Sequence, residues 1–548
     1  MEIPQPAGTT QSDERGRSAA PHTFTAASVS SLLRGPLPAA LQARVGAHIR
    51  TRRWFRGKAR TIGEIEVVDQ LTLRAERDEV ILAIIRVSYD VEPPEVYVLP
   101  LAAGDAQTPH PVLFELQMST GRLAVYDPSG GEEFSQLLLD VFVRAQTPGD
   151  RGAITATPTP ALRIRAAHDR PAAHQSTGEQ SNTTVFFGRE FMLKLFRQLE
   201  AGENPDVELN EFLWTHGYRH VPEPLGSVRY AGAFVATLGI AQRFVASEGT
   251  AWDATLAILQ RSLEHTRASE PPPAHLPPGG DPLDDSGTND WAVAQMLESY
   301  AAFAMQLGRR TAELHVALAL DAVTPAFKPE PFTVDYQRSL IRAARARVDG
   351  ACELLARQLA ALPDEVKPLA ETVLAVQNQL RANLGLLDAA PIHASRIRCH
   401  GDFHLGQVLY GAGDFTILDF EGEPAQPLDK RREKGSALYD VCGMLRSFHY
   451  AATVARQGEG WRREERPALQ RWSDAWYRGA SAAFLSAYME TAREGFAVFL
   501  PESRDDIRAL LRLHLIDKCC YELSYELNNR PAWVGVPMAG LIGLAGAR

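Results

Sequence analysis

Cysteine is scarce and unpatterned in this 548-residue sequence: Cys352, Cys399, Cys442, Cys519 and Cys520, an odd number with no framework spacing. That excludes a disulfide scaffold. The adjacent pair Cys519-Cys520 cannot act as a CxxC motif, so the thiols read as structural groups in a reducing cytoplasm. A basic excess is also lacking, with 57 Lys and Arg against 67 Asp and Glu and a net charge of −10. This excludes a sequence-independent nucleic-acid binder. Long hydrophobic runs are missing. The longest uncharged run, residues 531–547, is broken by Pro537 and several glycines and falls short of the roughly 18 residues a membrane span needs. Residues 1–25 carry charge and lack the apolar core of a signal peptide. A soluble, cytoplasmic protein with no membrane partner is expected. Walker A and GxGxxG loops are absent too, which excludes the two commonest phosphate-binding loops.

What is present changes character along the chain. Residues 1–30 are polar and rich in Pro, Ser, Thr and Ala, and are expected to form a disordered leader. Residues 31–160 carry strand signals at 64–73, 80–87 and 96–99, separated by Gly, Pro and Asp-rich breaks, and read as a separate α+β unit. Residues 161–246 read as a small sheet with one helix. Strands at 183–187 and 191–196 flank the turn Gly188-Arg189-Glu190, and Asn204-Pro205-Asp206 opens a helix to about His216. Further strands are expected at 228–237 and 241–246, and residues 271–290 form an exposed Pro/Gly/Asp loop. From 247 to 548 the period turns helical, with helices expected at 291–320, 334–362, 366–387, 469–499 and 505–527.

Two loops interrupt this helical part. His400-Gly401-Asp402-Phe403-His404-Leu405-Gly406-Gln407 places a carboxylate in a glycine-marked loop with an amide five residues later. Ile417-Leu418-Asp419-Phe420-Glu421 places a second carboxylate after an apolar run and the hairpin turn Gly411-Ala412-Gly413. Phosphoryl transfer from ATP needs a base, two Mg²⁺ ligands, a lysine on the phosphates and a partner for that lysine. Asp402 suits the base, and Gln407 and Asp419 suit the Mg²⁺ ligands. One Asp alone is usually a cap or a surface residue; two carboxylates and an amide in this order argue against that reading. His400 and His404, four apart, resemble a metal pair, but no third ligand stands at the right spacing, and a role for His400 in shaping the loop is the better reading. Lys194, in Phe191-Met192-Leu193-Lys194-Leu195-Phe196, is flanked by apolar residues and needs a partner; Glu208 on the next helix can supply it. The segment Ser181-Asn182-Thr183 could offer N–H and hydroxyl groups to phosphates, or be a plain polar turn.

These residues match a known family. The chain resembles bacterial maltokinases, relatives of the aminoglycoside phosphotransferases. The likeness runs from about residue 45 to 540 through Arg53-Trp54-Phe55-Arg56-Gly57-Lys58, Leu193-Lys194-Leu195-Phe196-Arg197 and Asn204-Pro205-Asp206-Val207-Glu208. It continues through Arg309-Arg310-Thr311-Ala312-Glu313-Leu314-His315, the two Asp loops and Tyr521-Glu522-Leu523-Ser524-Tyr525-Glu526-Leu527-Asn528-Asn529-Arg530-Pro531. One departure is Ser436-Ala437-Leu438-Tyr439-Asp440, where Ser-Pro-Leu-Arg-Asp is expected.

The resemblance implies an α+β, bilobal protein-kinase-like fold with an N-terminal cap subdomain, a small strand-rich lobe and a large helical lobe. It implies ATP- and Mg²⁺-dependent phosphorylation of maltose to maltose 1-phosphate, feeding α-glucan synthesis, with trehalose synthase as a possible partner. By position it implies Asp402 as base, Gln407 and Asp419 as metal ligands, and Lys194 with Glu208 as phosphate clamp. The backbone around Gln242, Phe244 and Val245 becomes the adenine hinge, and sugar contacts are expected from His400, Glu421, Tyr525, Glu526 and Arg530. A glucosamine or other amino-sugar kinase of the same fold is the alternative. A catalytically dead scaffold is a third reading, opposed by the joint presence of Lys194, Glu208, Asp402 and Asp419.

Overall fold

The computed structural model describes residues 22–74, 79–105, 110–168, 170–176, 181–269, 283, 291–388, 390–457 and 461–546. It divides into two compact units. One comprises the described residues up to Glu211 together with Pro222–Ala246; the other comprises Phe212–Val221 and the chain from Ser247 on.

The first unit is built on two sheets. In one, the strands run Thr23–Thr25, Val112–Met118, Gly121–Tyr126, Glu95–Gly104, Val80–Tyr89 and Ile62–Arg74, with Gln198–Leu199 added alongside Glu95–Gly104. Residues such as Val80–Ile85 are buried on both faces, which is why they read as a continuous apolar run rather than an alternation. The second sheet runs Gln146–Pro148, Ala153–Ala156, Pro224–Ala231, Val235–Arg243, Phe191–Leu195, Thr183–Phe187 and Ala173–Gln175, antiparallel throughout. The Glu132–Val143 helix lays Phe134, Leu138, Leu139 and Phe142 into a core that also takes Leu82, Val98, Leu193 and Leu238 from the two sheets. The two sheets therefore share one core.

Three expectations are corrected here. The leader expected at 1–30 does not hold at its C-terminal end, because Thr23–Thr25 pairs in parallel with Val112–Met118 and Val29 is buried; residues 1–21 lie outside the described residues. Gln146–Ala156 belongs to the second sheet, so the change of sheet comes before residue 160. The single strand expected at 228–237 is the bend of a hairpin between Pro224–Ala231 and Val235–Arg243, and the apolar residues on both sides of the turn hid it. The loop expected at 271–290 lies outside the described residues except at Leu283.

The second unit is helical. The Trp291–Leu318, Leu438–Gln457 and Arg466–Glu494 helices meet at an aromatic centre, where Tyr300 lies 4.8 Å from Trp476 and Phe448 lies 6.2 Å from Trp476 and 5.8 Å from Phe484. Pairs of this kind combine large buried area with preferred ring geometry. The expected helix at 366–387 is two, Lys367–Ala375 and Gln377–Gly385, and the expected 505–527 helix is Arg504–Asn529. Among the described residues no helix is long and apolar enough to cross a membrane.

Candidate active site

The sequence that reads as a catalytic loop folds as an irregular segment held almost entirely from behind. Asp440, near the start of the Leu438–Gln457 helix, is fully buried and accepts hydrogen bonds from the backbone N–H of His400 at 2.7 Å and of Gly401 at 2.9 Å. His315 Nε2 stands 3.2 Å from the same carboxylate, and His315 Nδ1 stands 2.8 Å from the Tyr488 hydroxyl. Burial alone would raise the Asp440 pKa; the bond from His315 and the Gly401 N–H are among the contacts that hold it below the usual carboxylate value. His400 then ties the two loops together. Its Nε2 donates to the Leu418 carbonyl at 2.8 Å, and its Nδ1 accepts from the Asp402 N–H at 3.4 Å. With both ring nitrogens engaged and the side chain 1% exposed, His400 shapes the loop and is withdrawn from the expected sugar contacts. His404 Nδ1 accepts from the Gly406 N–H at 3.0 Å, and burial pushes its pKa down to about 4, so it caps the turn before Gln407. The apparent His400/His404 metal pair is two loop-holding side chains.

Gln407 and Asp419 stand at the two ends of the hairpin Val408–Gly411/Asp414–Ile417 and come together, Gln407 Nε2 donating to Asp419 Oδ2 at 3.0 Å. Asp419 adopts φ 64°, a left-handed conformation that Asp tolerates better than most residues. The hairpin turn is pinned by the Trp291–Leu318 helix. Arg310 donates Nε to Asp414 Oδ1 at 2.9 Å and Nη2 to Oδ2 at 2.7 Å, and Gln306 adds a bond at 2.9 Å. Despite burial, the Arg310 bonds and the Phe415 N–H hold the Asp414 pKa down to about 2. The two loops also touch at glycines, since a Cβ on Gly401 would lie 3.1 Å from the Gly422 Cα. A side chain there would push the Asp loops apart.

On the Arg504–Asn529 helix, the residues that face this loop are not the ones expected. Lys518 is half-buried and stacks on Tyr439, its Nζ 4.3 Å from the ring centroid. Burial would lower its pKa, yet Tyr439, Asp402, Glu423 and Glu522 around it raise it above the ordinary lysine value. The Tyr521 hydroxyl donates to Glu423 Oε1 at 2.7 Å, and burial, Glu423 and Asp402 together raise its pKa. Lys518, Tyr521 and Tyr525 share one face by i, i+3 and i+7 spacing. Glu526 is on another face, 1% exposed, where it accepts two bonds from Arg530 and one from Tyr450. The expected Glu526–sugar contact is therefore corrected: Glu526 is a buried brace, and Arg530 is committed to it. Tyr525 is half-buried, with the Arg530 guanidinium 5.3 Å from its ring centroid. Glu421 follows the Asp419 loop, its carbonyl accepting from Arg431 Nη1 at 3.0 Å. Lys518 and Glu423 were missed in the sequence. An i, i+3 Lys–Tyr pair ahead of Tyr525 was the available signal.

In the other unit, Lys194 sits mid-strand, with Thr184 and Ile240 as its register partners. Its Nζ donates to Asp206 Oδ2 at 2.8 Å, with Lys194 8% and Asp206 1% exposed. Asp206 was read only as part of a helix start, whereas Glu208 was the expected partner. Asn204 Oδ1 caps the helix by accepting from the Asp206 N–H at 2.9 Å, which holds Asp206 in the first turn beside the strand. Glu208 is buried on the same helix. Thr183 Oγ1 and Asn182 Oδ1 both accept from Arg197, at 3.2 and 3.4 Å, and Asn182 Nδ2 approaches Ser181 Oγ at 3.5 Å. Gln180, which precedes them, lies outside the described residues. At the expected hinge, Gln242 is buried in the sheet, and the Phe244 N–H already donates to the Glu190 carbonyl at 3.0 Å. That removes Phe244 from the backbone donors open to an adenine and leaves Val245 as the expected hinge position.

Residues 48–129 match the maltokinase N-terminal cap domain. A glucosamine kinase of Streptacidiphilus jiangxiensis is 32% identical over 265 residues, which cover 46% of this chain and only about half, 54%, of that enzyme. A glucosamine kinase of Mycolicibacterium smegmatis is 27% identical over 380 residues, 67% of this chain and 78% of that enzyme. The chain is maltokinase-like, with a kinase fold. A solved glucosamine kinase in complex with glucosamine, ADP and inorganic phosphate superposes with a TM-score of 0.60 at 21% identity, over 94% of this chain and 98% of its own. A second crystal form of a glucosamine kinase gives 0.63, over 94% and 99%. The maltokinase resemblance and the kinase-like fold class with an N-terminal cap are thereby borne out.

Proposed function

We propose that this chain is an ATP-dependent sugar kinase that phosphorylates maltose at its anomeric hydroxyl. The observation that carries the reading is the loop set of Asp402, Gln407 and Asp419, held rigid by Asp440, His400 and Arg310, with Lys518, Tyr521 and Glu423 beside Asp402. Asp402 takes the proton of the acceptor hydroxyl. That oxygen bonds to the γ-phosphorus, the β–γ bridging P–O bond breaks and ADP leaves. Lys194 holds the phosphates, with Asp206 and Glu208 setting its charge and reach, and Ser181, Asn182 and Thr183 offer further donors. The donor set of one carboxylate and one amide oxygen suits a hard cation, so Asp419 and Gln407 would hold Mg²⁺. When bound, Mg²⁺ supplies charge neutralisation at the phosphates.

The neighbourhood of Asp402 favours a neutral acceptor. Lys518 is a cation whose charged form is favoured by its surroundings, and a protonated amino sugar bound against it would meet like-charge repulsion. Tyr521 offers an apolar ring and a hydroxyl, and Glu423 a hydroxyl acceptor, which suits a neutral saccharide. The match of residues 48–129 to the maltokinase cap points the same way. The glucosamine kinases at 27–32% identity support the second reading, an amino-sugar kinase. ADP release with maltose, with glucosamine and with no sugar separates the two. With maltose, phosphorus NMR should show a glycosyl 1-phosphate; a 6-phosphate, or ADP release driven by glucosamine alone, would sink the maltose reading.

A further inference from the structure

Arg197 lies two residues past the Lys194 strand and is 0% exposed. Its Nη1 donates to Ser129 Oγ at 2.9 Å and Thr183 Oγ1 at 3.2 Å, its Nη2 lies 3.8 Å from Asp127 Oδ2, and its guanidinium carbon is 4.4 Å from the Trp54 ring centroid. Its backbone N–H reaches Asn182 Oδ1 at 3.4 Å, and its carbonyl accepts from the Val98 N–H at 2.8 Å. The chain then runs straight on as Gln198–Leu199, which pairs with Tyr97 and Val96. Trp54, Val98, Asp127 and Ser129 all fall within the cap match, whereas Asn182 and Thr183 open the strand beside Lys194. One buried side chain thus touches the cap and the phosphate edge together. Asp127 is itself held by the Ser129 N–H at 3.0 Å, His48 Nε2 at 3.3 Å and Arg52 Nη2 at 3.7 Å.

Stability does not account for this residue. Nε and Nη2 are buried with no hydrogen-bond partner among the described residues, and burial lowers the guanidinium pKa to about 10 against the pull of Asp127. A partly satisfied buried charge is costly, and an apolar side chain of similar volume is often neutral or better at such a place. What an apolar residue could not supply is the fork that bonds Ser129 and Thr183 from one nitrogen.

We propose that Arg197 is a positioning residue through which the cap sets the Asn182–Thr183 edge, so that nucleotide affinity depends on cap residues that touch no nucleotide. The inference rests on the kinase reading above, with that edge and Lys194 as the phosphate-binding part. It is tested on the full chain with Ser129→Ala and Arg197→Met, measuring Kd for ADP by calorimetry, KM for ATP and for sugar, kcat and Tm. The expected result is a five- to tenfold rise in Kd(ADP) and KM(ATP), roughly the worth of one hydrogen bond. KM for sugar and kcat at saturating ATP should stay within about twofold, and the double variant should bind ADP no more weakly than the weaker single variant. A fall in Tm with Kd(ADP) and KM(ATP) unchanged would make Arg197 a packing residue and overturn the proposal. If Arg197→Met fails to fold, Ser129→Ala decides by the same readout. A wild-type protein that binds no ADP overturns the kinase reading and this inference with it; wild-type binding that both variants leave unchanged overturns this inference alone.

Discussion

The helical unit and the sheet unit hold their chemical groups in different ways. Asp402, Gln407 and Asp419 sit on irregular loops, each fixed by a few buried side chains far away in sequence: Asp440 on two loop N–H groups, His400 on Leu418, Arg310 on Asp414. Lys194 instead sits in the middle of a regular ladder, placed by strand register and an ion pair with Asp206. Register is a cooperative property of many backbone bonds and resists any single change. A loop depends on its anchors one by one. The difference teaches that in the helical unit a residue behind the site can matter almost as much as one facing it, whereas on the Lys194 ladder the facing residue should dominate; the Asn182–Thr183 edge, held by Arg197, behaves like the loops.

The largest break of this comparison is at the front of the helical unit. Asp402→Asn should lower kcat by roughly 10²- to 10⁴-fold, the usual worth of a general base, while leaving Kd for ADP within twofold by calorimetry. In the sheet, Lys194→Met should cost about 10²-fold in kcat/KM for ATP, the scale of one lost charge clamp, with Tm little changed; a large Tm loss would show that the ladder depends on Lys194 after all. Behind the loop, Asp440→Asn weakens two charge-assisted bonds and should cut kcat by roughly ten- to a hundredfold without touching substrate. Crystallography or hydrogen exchange should show residues 400–403 loosened, and a rigid loop with normal kcat would collapse the distinction drawn here.

The helix Arg504–Asn529 carries the same contrast on two faces. Tyr521→Phe should raise KM for the sugar about five- to tenfold, one hydrogen bond's worth, with KM for ATP unchanged. Glu526→Gln should leave sugar kinetics nearly unaltered and instead lower stability by about 1–3 kcal/mol in urea unfolding, because Arg530 and Tyr450 lose a buried acceptor. The reverse outcome would return Glu526 to the site.

The smallest effect is on pH. Burial pushes His404 and His514 down to about 4, whereas in the unfolded chain each titrates near the ordinary value of roughly 6.5. Both are neutral above that value and their burial then carries no proton-linked cost. As pH falls from about 6.5 toward 4 the unfolded chain takes up protons that the folded chain refuses, and stability drops by about 1.4 kcal/mol per pH unit for each group. Urea unfolding between pH 7 and 5 should show this slope, with His404→Asn reducing it; identical slopes in the two proteins would remove His404 from the linkage.

Much of the site was legible wherever chemistry and spacing are local. Asp402 and Gln407 lie five residues apart on one loop, and Asp419 ends the hairpin that begins after Gln407, so a single stretch of chain placed all three. The Gly188-Arg189-Glu190 turn and the helix opening at Pro205 followed from the same kind of signal. Partner choice was less legible. Asp206, which pairs with Lys194, stands two residues before the expected Glu208 and is chemically alike, so spacing did not single it out. On the last long helix, spacing groups Lys518, Tyr521 and Tyr525 into one stripe and Glu522 and Glu526 into another without saying which stripe faces the loop.

The sequence by itself determined the order of the parts, the local geometry of the two Asp loops and the apolar patterns that make two sheets and a helical body. Those properties arise from backbone preferences and contacts between near neighbours, which spacing encodes directly. Tertiary structure alone decided that Asp440 holds the His400–Asp402 loop from forty positions away, that the strand after Lys194 runs on through Arg197 into the cap sheet, and that Glu522 and Glu526 turn inward to Arg446, Tyr450 and Arg530. Each of these is a choice among chemically equivalent partners, and burial makes it: once a charge leaves water it must take whichever opposite group the packing brings within about 3 Å, and no local pattern specifies which one that will be.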